Sequence, residues 1–296
     1  DLPIYCDLSI VKSSKKQQQR PYHPIMTYTM EESNVFHENE TYEIEIELDE
    51  SKLDDYTHDE IIKKTKQAVK YILCGLQETN YPVSYNDMDG ILEEYMTMIH
   101  GPNEKHYMRR VYPKHFIGPS TYTLQYENIQ PLENDKTIPN IRNQYTVTDK
   151  ADGSRALLYV CKKGKLYFID SNMKVQFTGC ITKEKRLFQS LVDGEFITHN
   201  KAGTFINLFA LFDLYYINGE SKRHLKFVEY DVITTTETEK KTKPKSSRIL
   251  ELRKFVSFLQ AESITNSAYP LRIEMKHFEI SKGLQPVHQL LGHLQS

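Results

Sequence analysis

The sequence predicts an α+β chain of two domains, and three observations carry that reading. Apolar and polar residues alternate with period two in two stretches of the first fifty residues, as strands require. A capped segment with apolar residues at i, i+3 and i+4 follows, as a helix requires. Beyond Pro102 the chain becomes a succession of short β-rich runs separated by Gly and Asn turns. Its 296 residues hold about two domains at roughly 100–200 residues each, and the change of texture sets them at 1–100 and 101–296.

In chain order, residues 8–12 (L-S-I-V-K) and 42–48 (Y-E-I-E-I-E-L) read as antiparallel strands, joined through a polar segment at 13–20. Thr57-His58-Asp59-Glu60 is a capping box ahead of Ile61, Ile62, Thr65, Ala68, Val69, Ile72, Leu73 and Leu76, which predicts a helix over 58–77. A second short helix is expected at 91–99. Strands are then predicted at 145–148, 155–161, 165–170, 175–177, 191–198, 205–216 and 271–280, forming twisted antiparallel sheets. Residues 234–247 are poor in apolar side chains and read as an exposed loop before a helix at 248–259.

Composition narrows the class. Hydrophobic residues at 39%, charged residues at 26% and a mean hydropathy of −0.58 describe a globular chain, neither disordered nor membrane-embedded. The longest apolar stretches, such as 208–214, fall far short of the roughly 18–20 residues that span a bilayer, so no membrane partner is expected. Cys6, Cys74, Cys161 and Cys180 are scattered with no C-x-x-C pair, which fits a reducing compartment. A net charge of −2 excludes a chain coated in basic residues and leaves room for a local basic groove. The chain begins at Asp1 with neither an initiator Met nor a signal-type apolar core, and reads as a piece of something longer.

Two constellations carry chemistry. Glu43, Glu45 and Glu47 share one strand face at intervals of about 6–7 Å, with Ile44, Ile46 and Leu48 opposite, expected to pack near Val69 and Leu73 of the helix. Such a row is either the solvated face of an edge strand or a hard-cation site holding Mg²⁺ or Mn²⁺ against a phosphate. The second is Lys150-Ala151-Asp152-Gly153-Ser154-Arg155, in a turn after a strand-like Y-T-V-T-D. There an amine nucleophile can meet a phosphate, provided that desolvation or a neighbouring cation, a metal ion or Arg155, lowers its pKa. D-G also marks a plain hairpin turn.

The blocks K-x-D-G-x-R, Lys165 to Asp170, Asp193-Gly194-Glu195 and Phe212-Asp213 follow one another over residues 140–280. In that order they resemble the motif series of the covalent nucleotidyltransferases, which comprise the mRNA capping guanylyltransferases and the ATP-dependent polynucleotide ligases. The resemblance implies that Lys150 carries a lysyl-nucleoside monophosphate and that Asp152, Gly153, Arg155, Glu195, Phe212 and Asp213 line the nucleotide. Arg155 and Glu195 would grip sugar and phosphate, Glu195 would also help organise the divalent cation, and Phe212 would stack on the purine. Read without the family, Phe212 is core, Glu195 a surface carboxylate, and Asp213 a buried acid in need of a partner.

The E-I-E-I-E strand and the helix after it resemble the carboxy-terminal part of the triphosphate-tunnel RNA triphosphatases. Together the two parts resemble the multifunctional capping enzymes of large cytoplasmic DNA viruses. That resemblance implies part of a tunnel barrel followed by a nucleotidyltransferase domain of ATP-grasp-like antiparallel sheets, without its OB-fold. It implies GTP as substrate, Mg²⁺ or Mn²⁺ as cofactor, and a 5′-triphosphate RNA end trimmed to the diphosphate that accepts GMP. A methyltransferase further along and a location in cytoplasm or virion also follow from it. Lys12 and Arg20 would add cations for the triphosphate. Ser171 stands where capping enzymes commonly have Arg, and no D-G-L-I, E-G-L-V or L-K-W-K-type block follows Ile280, which fits a fragment. The competing expectations are a ligase that uses ATP through lysyl-AMP, and a non-catalytic scaffold with a vestigial pocket.

Overall fold

Between Glu78 and Thr79 the chain divides into two units. The computed structural model describes residues 2–14, 16–17, 20–101, 111–131, 138–143, 145–229, 246–266 and 268–280.

In the first unit the alternating segments pair as predicted. Strand β1 (Ile4–Lys12) runs antiparallel to the later strand β4 (Glu40–Leu48), with β2 (Lys16–Gln17), β3 (Arg20–Pro24) and helix α1 (Met30–Ser33) between them. The register sets Asp7 opposite Glu45 and Ser9 opposite Glu43, so the glutamate face gains a fourth carboxylate. Helix α2 (His58–Gln77) begins on the capping box that the sequence shows, with Thr57 N donating to Glu60 Oε2 at 2.9 Å and Glu60 N to Thr57 Oγ1 at 3.4 Å.

Two features of this unit bear on the tunnel expectation. Among the described residues of this unit the strands form two-stranded ribbons, β1–β4 and β2–β3, and no closed barrel. A strand with one partner keeps an open edge, and closure is what would remove it. Ile44 and Ile46 are each 37% exposed, and the buried residues of α2 are Ala68 and Gln77. Lys12 Nζ donates to Phe36 O at 3.2 Å, while the Arg20 side chain lies outside the described residues.

The second unit opens with α3 (Tyr85–His100), capped by Ser84 and six residues longer at its start than the apolar pattern suggested. The helix belongs with this unit, not with residues 1–100, because Ile91, Tyr95 and Met96 are buried in one core with Leu157, Tyr159, Ile169 and Leu191. The strands are β5 (Thr146–Val147), β6 (Ser154–Val160), β7 (Lys165–Asp170), β8 (Val175–Ile181), β9 (Ser190–His199), β10 (Phe205–Ile217) and β11 (Glu220–Ser221). After them come α4 (Arg248–Phe258), β12 (Glu262–Ser263), β13 (Arg272–Met275) and β14 (Glu279–Ile280).

The main sheet has eight strands in the order β11-β10-β9-β6-β7-β8-β12, with β13 alongside β10. A second core, including Leu158, Phe168, Leu211, Leu252 and Phe255, covers the other face with α4. Burial on both faces explains why β6 reads A-L-L-Y-V without alternation. Each such buried side chain stabilises the fold by about 1.5–3 kcal/mol.

The predicted strand at 271–280 is broken. β13 joins β10 in parallel, a pairing that needs a crossover, and α4 lies in the connection. β14 pairs instead with β5, just ahead of Lys150. The predicted loop 234–247 lies outside the described residues save for its last two. Cys6, Cys74, Cys161 and Cys180 are all free thiols. Among the described residues no helix is long and apolar enough to cross a membrane.

Candidate active site

Lys150 sits in a turn held on both sides. Before it, β5 pairs with β14, and Thr148 Oγ1 donates to His277 O at 2.6 Å. After it, Gly153 N donates to Glu195 Oε1 at 2.8 Å. A β-carbon on Gly153 would collide with the backbone carbonyl of Phe196, so only glycine lets the turn lie on β9. Lys150, Asp152, Gly153 and Glu195, predicted as site residues from distant positions, are thus brought together.

The Lys150 ammonium is hydrogen-bonded to Asp152, and both side chains are exposed, at 84% and 81%. The Asp152 carboxylate holds the lysine above its ordinary pKa, with a smaller contribution from Glu195, and the lysine in turn holds Asp152 below the usual carboxylate range. Asp152 thus opposes the lowered pKa that a nucleophile requires.

Arg155 does not supply it, because its guanidinium is committed elsewhere. Nε and Nη2 donate to the two carboxylate oxygens of Asp193 at 3.1 and 2.6 Å, and Nη1 donates to Pro119 O at 2.7 Å. Asp193 is wholly buried and accepts a third bond from Tyr215 Oη at 2.6 Å. Burial pushes its carboxyl up, while Arg155 and Tyr215 pull it back. A buried carboxylate is tolerable only when paired and hydrogen-bonded in this way.

The guanidinium also lies against Phe116 and Phe212, at 5.4 and 5.6 Å from the ring centroids, within cation–π range. The segment carrying Phe116 is pinned by Tyr95, whose hydroxyl donates to His115 O at 2.8 Å and accepts from Ile117 N at 3.2 Å. A side chain at Gly118 would strike Arg155. Sequence reasoning left Asp193, Tyr215, Phe116 and Tyr95 without roles. A buried acid and a tyrosine on neighbouring apolar strands were the available signal for the first two.

Phe212 and Asp213 part company. Leu211 pairs with Gly194 and Asp213 with Asp193, so Phe212 is the extra residue of a β-bulge. Phe212 reaches Arg155, whereas Asp213 binds Arg248 of α4 through Nε at 2.8 Å and Nη2 at 3.1 Å. Asp213 is thus the partnered buried acid and stands apart from the group around Lys150.

Among the described residues no three His, Cys, Asp or Glu side chains gather as a metal cage. That holds for Glu43, Glu45 and Glu47 as for the rest. They lie along one strand face with backbone positions about 6–7 Å apart, and a hard cation needs their oxygens at roughly 2.0–2.6 Å. At Lys150 the carboxylates are Asp152 and Glu195. One or two carboxylates suit an ion held mainly through a substrate's phosphates and not one caged by protein.

A family model described as "mRNA capping enzyme, catalytic domain" matches residues 85–293, starting at the first residue of α3. A probable mRNA-capping enzyme of Acanthamoeba polyphaga mimivirus is 28% identical over 183 residues, which are 62% of this chain. The chain spans only 13% of that protein's length.

Proposed function

Since the chain belongs to the mRNA capping enzyme catalytic-domain family, we propose that it is an RNA guanylyltransferase that carries GMP on Lys150. The observation that carries this is the exposed lysine in a glycine turn laid on β9 beside Glu195. In the first step the neutral Lys150 amine attacks the α-phosphorus of GTP; an N–P bond forms and pyrophosphate departs with the P–O bond electrons. In the second, a terminal oxygen of a 5′-diphosphate RNA attacks the same phosphorus and the amine leaves. Mg²⁺ or Mn²⁺ bound to the nucleotide would neutralise phosphate charge beside Glu195 and Asp152.

The remaining work falls to side chains. Lys150 has to leave Asp152 and lose its proton before it attacks. Phe212 presents a ring for the purine, and Arg155 orients that ring from a guanidinium locked on Asp193. Three of the five Arg155 N–H groups are committed, which leaves two for sugar or phosphate.

For the first unit the reading is the carboxy-terminal part of an RNA 5′-triphosphatase tunnel, in which Glu43, Glu45 and Glu47 would share a metal with carboxylates of other strands. Their single face, joined by Asp7, supports it. A methyltransferase elsewhere in the protein and a viral origin are in keeping with the much longer mimivirus relative. Free, scattered thiols favour cytoplasm or virion.

The test is incubation with α-labelled GTP and Mg²⁺ or Mn²⁺, followed by denaturing electrophoresis. A guanylate adduct is expected, lost in both Lys150→Ala and Lys150→Arg, because a guanidinium with a pKa above ~12 does not deprotonate to attack. An adenylate adduct from ATP alone would make the protein a ligase, and an adduct on Lys150→Arg would remove Lys150 from its role.

A further inference from the structure

Beside the turn that carries Lys150, β9 and β10 form a hairpin that outruns β6. Ser154 opposite Phe196 ends the β6–β9 pairing, so β9 and β10 run on without β6 beyond that point, beside the lysine turn. Alternation keeps Glu195, Ile197 and His199 on one face of β9, and Phe205 stands directly opposite His199. Three rings meet there edge to face: His199 and Phe205 with centroids 5.4 Å apart, Phe205 and Tyr269 5.6 Å apart. None is core, for Phe205 is 38% and Tyr269 62% exposed, and His199 is exposed as well. Asn207 Nδ2 donates to Tyr269 O at 2.8 Å and ties that segment to β10.

The tip of the hairpin is braced. Asn200 Oδ1 accepts from Ala202 N at 3.0 Å and Thr204 N at 2.9 Å, while Asn200 N donates to Thr204 O at 2.9 Å. On that turn sits the exposed Lys201. Its ammonium is near enough to join Lys150, the larger influence, in holding the Asp152 carboxyl down. Four residues of strand separate Glu195 from His199, about 13 Å.

We propose that His199, Phe205 and Tyr269, with Lys201 at the tip, are the landing surface for the first nucleotides of a single-stranded RNA whose 5′ end reaches Lys150. Single strands are held where bases find ring faces to stack on and phosphates find cations, with little regard for sequence. That tolerance suits an acceptor defined by its end. A duplex, its bases already stacked, offers these rings nothing. The assignment of the 5′ end rests on the guanylyltransferase reading; the strand-binding surface does not.

The test titrates the 296-residue chain with a 3′-labelled single-stranded oligoribonucleotide bearing a 5′-diphosphate, followed by fluorescence anisotropy. The double substitution Phe205→Ala with Tyr269→Ala is expected to weaken binding about tenfold or more, while Phe205→Tyr with Tyr269→Phe keeps it. Lys201→Gln should flatten the slope of log affinity against log salt by about 0.7. Guanylate adduct formation should survive all of these changes. Unchanged affinity in the double variant, or equal binding of a duplex of the same sequence, overturns the proposal. Should the double variant lose thermal stability, the tip substitution decides: an unchanged salt slope overturns the proposal by itself. A chain that binds RNA through these rings yet forms no adduct would sink the transferase reading alone, and one that forms adduct while its RNA affinity ignores the rings would sink this surface alone.

Discussion

A lysine that is to attack phosphorus must shed its proton, and its first neighbour in this chain opposes that. Asp152 keeps the Lys150 amine charged, so the neutral form gains population only as pH rises toward a lysine pKa that lies above its ordinary value. At saturating GTP the adduct rate should therefore climb with pH on the alkaline side. In Asp152→Asn the carboxylate that raises the pKa is gone, and the same climb should begin at lower pH. A rate–pH profile that does not move in Asp152→Asn would mean that the pair is already broken when GTP is bound. The pair has no part in stability, since both side chains are more than four-fifths exposed and solvent screens them. Lys150, Asp152 and Gly153 were legible because their turn is local in sequence. Arg155 was visible, but not its commitment to Asp193, which lies 38 residues away and is reached only across the β6–β9 pairing.

At the scale of elements, what a strand face presents depends on register, and register is where reading from sequence ends. The capping box of α2 and the β6 to β10 strands announced themselves through spacing and β-branched or aromatic content. The bulge at Phe212 did not, because F-A-L-F-D-L-Y-Y gives no sign of which residue is extra. That single insertion turns Phe212 toward Arg155 and Asp213 toward Arg248. The Asp213–Arg248 pair then ties β10 to the first residue of α4, and Arg248 Nη1 adds a bond to Leu225 O at 2.6 Å. With side chains only 12% and 21% exposed, the pair is largely desolvated. Removing one partner strands the other charge, so Arg248→Met should lower unfolding stability by about 3–5 kcal/mol. Chemical denaturation measures that loss, and a change under 1 kcal/mol would show the Asp213 carboxylate to be well solvated without its partner.

For the molecule as a whole, the division at Glu78 assigns the two candidate chemistries to separate units. The ribbon of the first unit presents Glu43, Glu45, Glu47 and Asp7 on one face and Leu8, Ile10, Ile44 and Ile46 on the other, all on strands largely open to solvent. Alternation was legible from the sequence; barrel closure was not, since it depends on partners for the open edges and not on the ribbon's own residues. The carboxylates of this row are not gathered as a metal cage among the described residues, and a tunnel would set opposing carboxylates beside them. In a longer form of the protein that completes the tunnel, Glu45→Ala should abolish metal-dependent release of the RNA γ-phosphate while the guanylate adduct forms at its normal rate. Lys150→Ala should do the reverse, because the proposed adduct lysine lies in the unit that holds the β9 turn. Thin-layer analysis of released phosphate beside gel detection of the adduct reads both in one reaction. If Glu45→Ala leaves γ-phosphate release intact, the row is a solvated edge and the triphosphatase reading falls, whereas loss of both activities together would show that the two units act as one site.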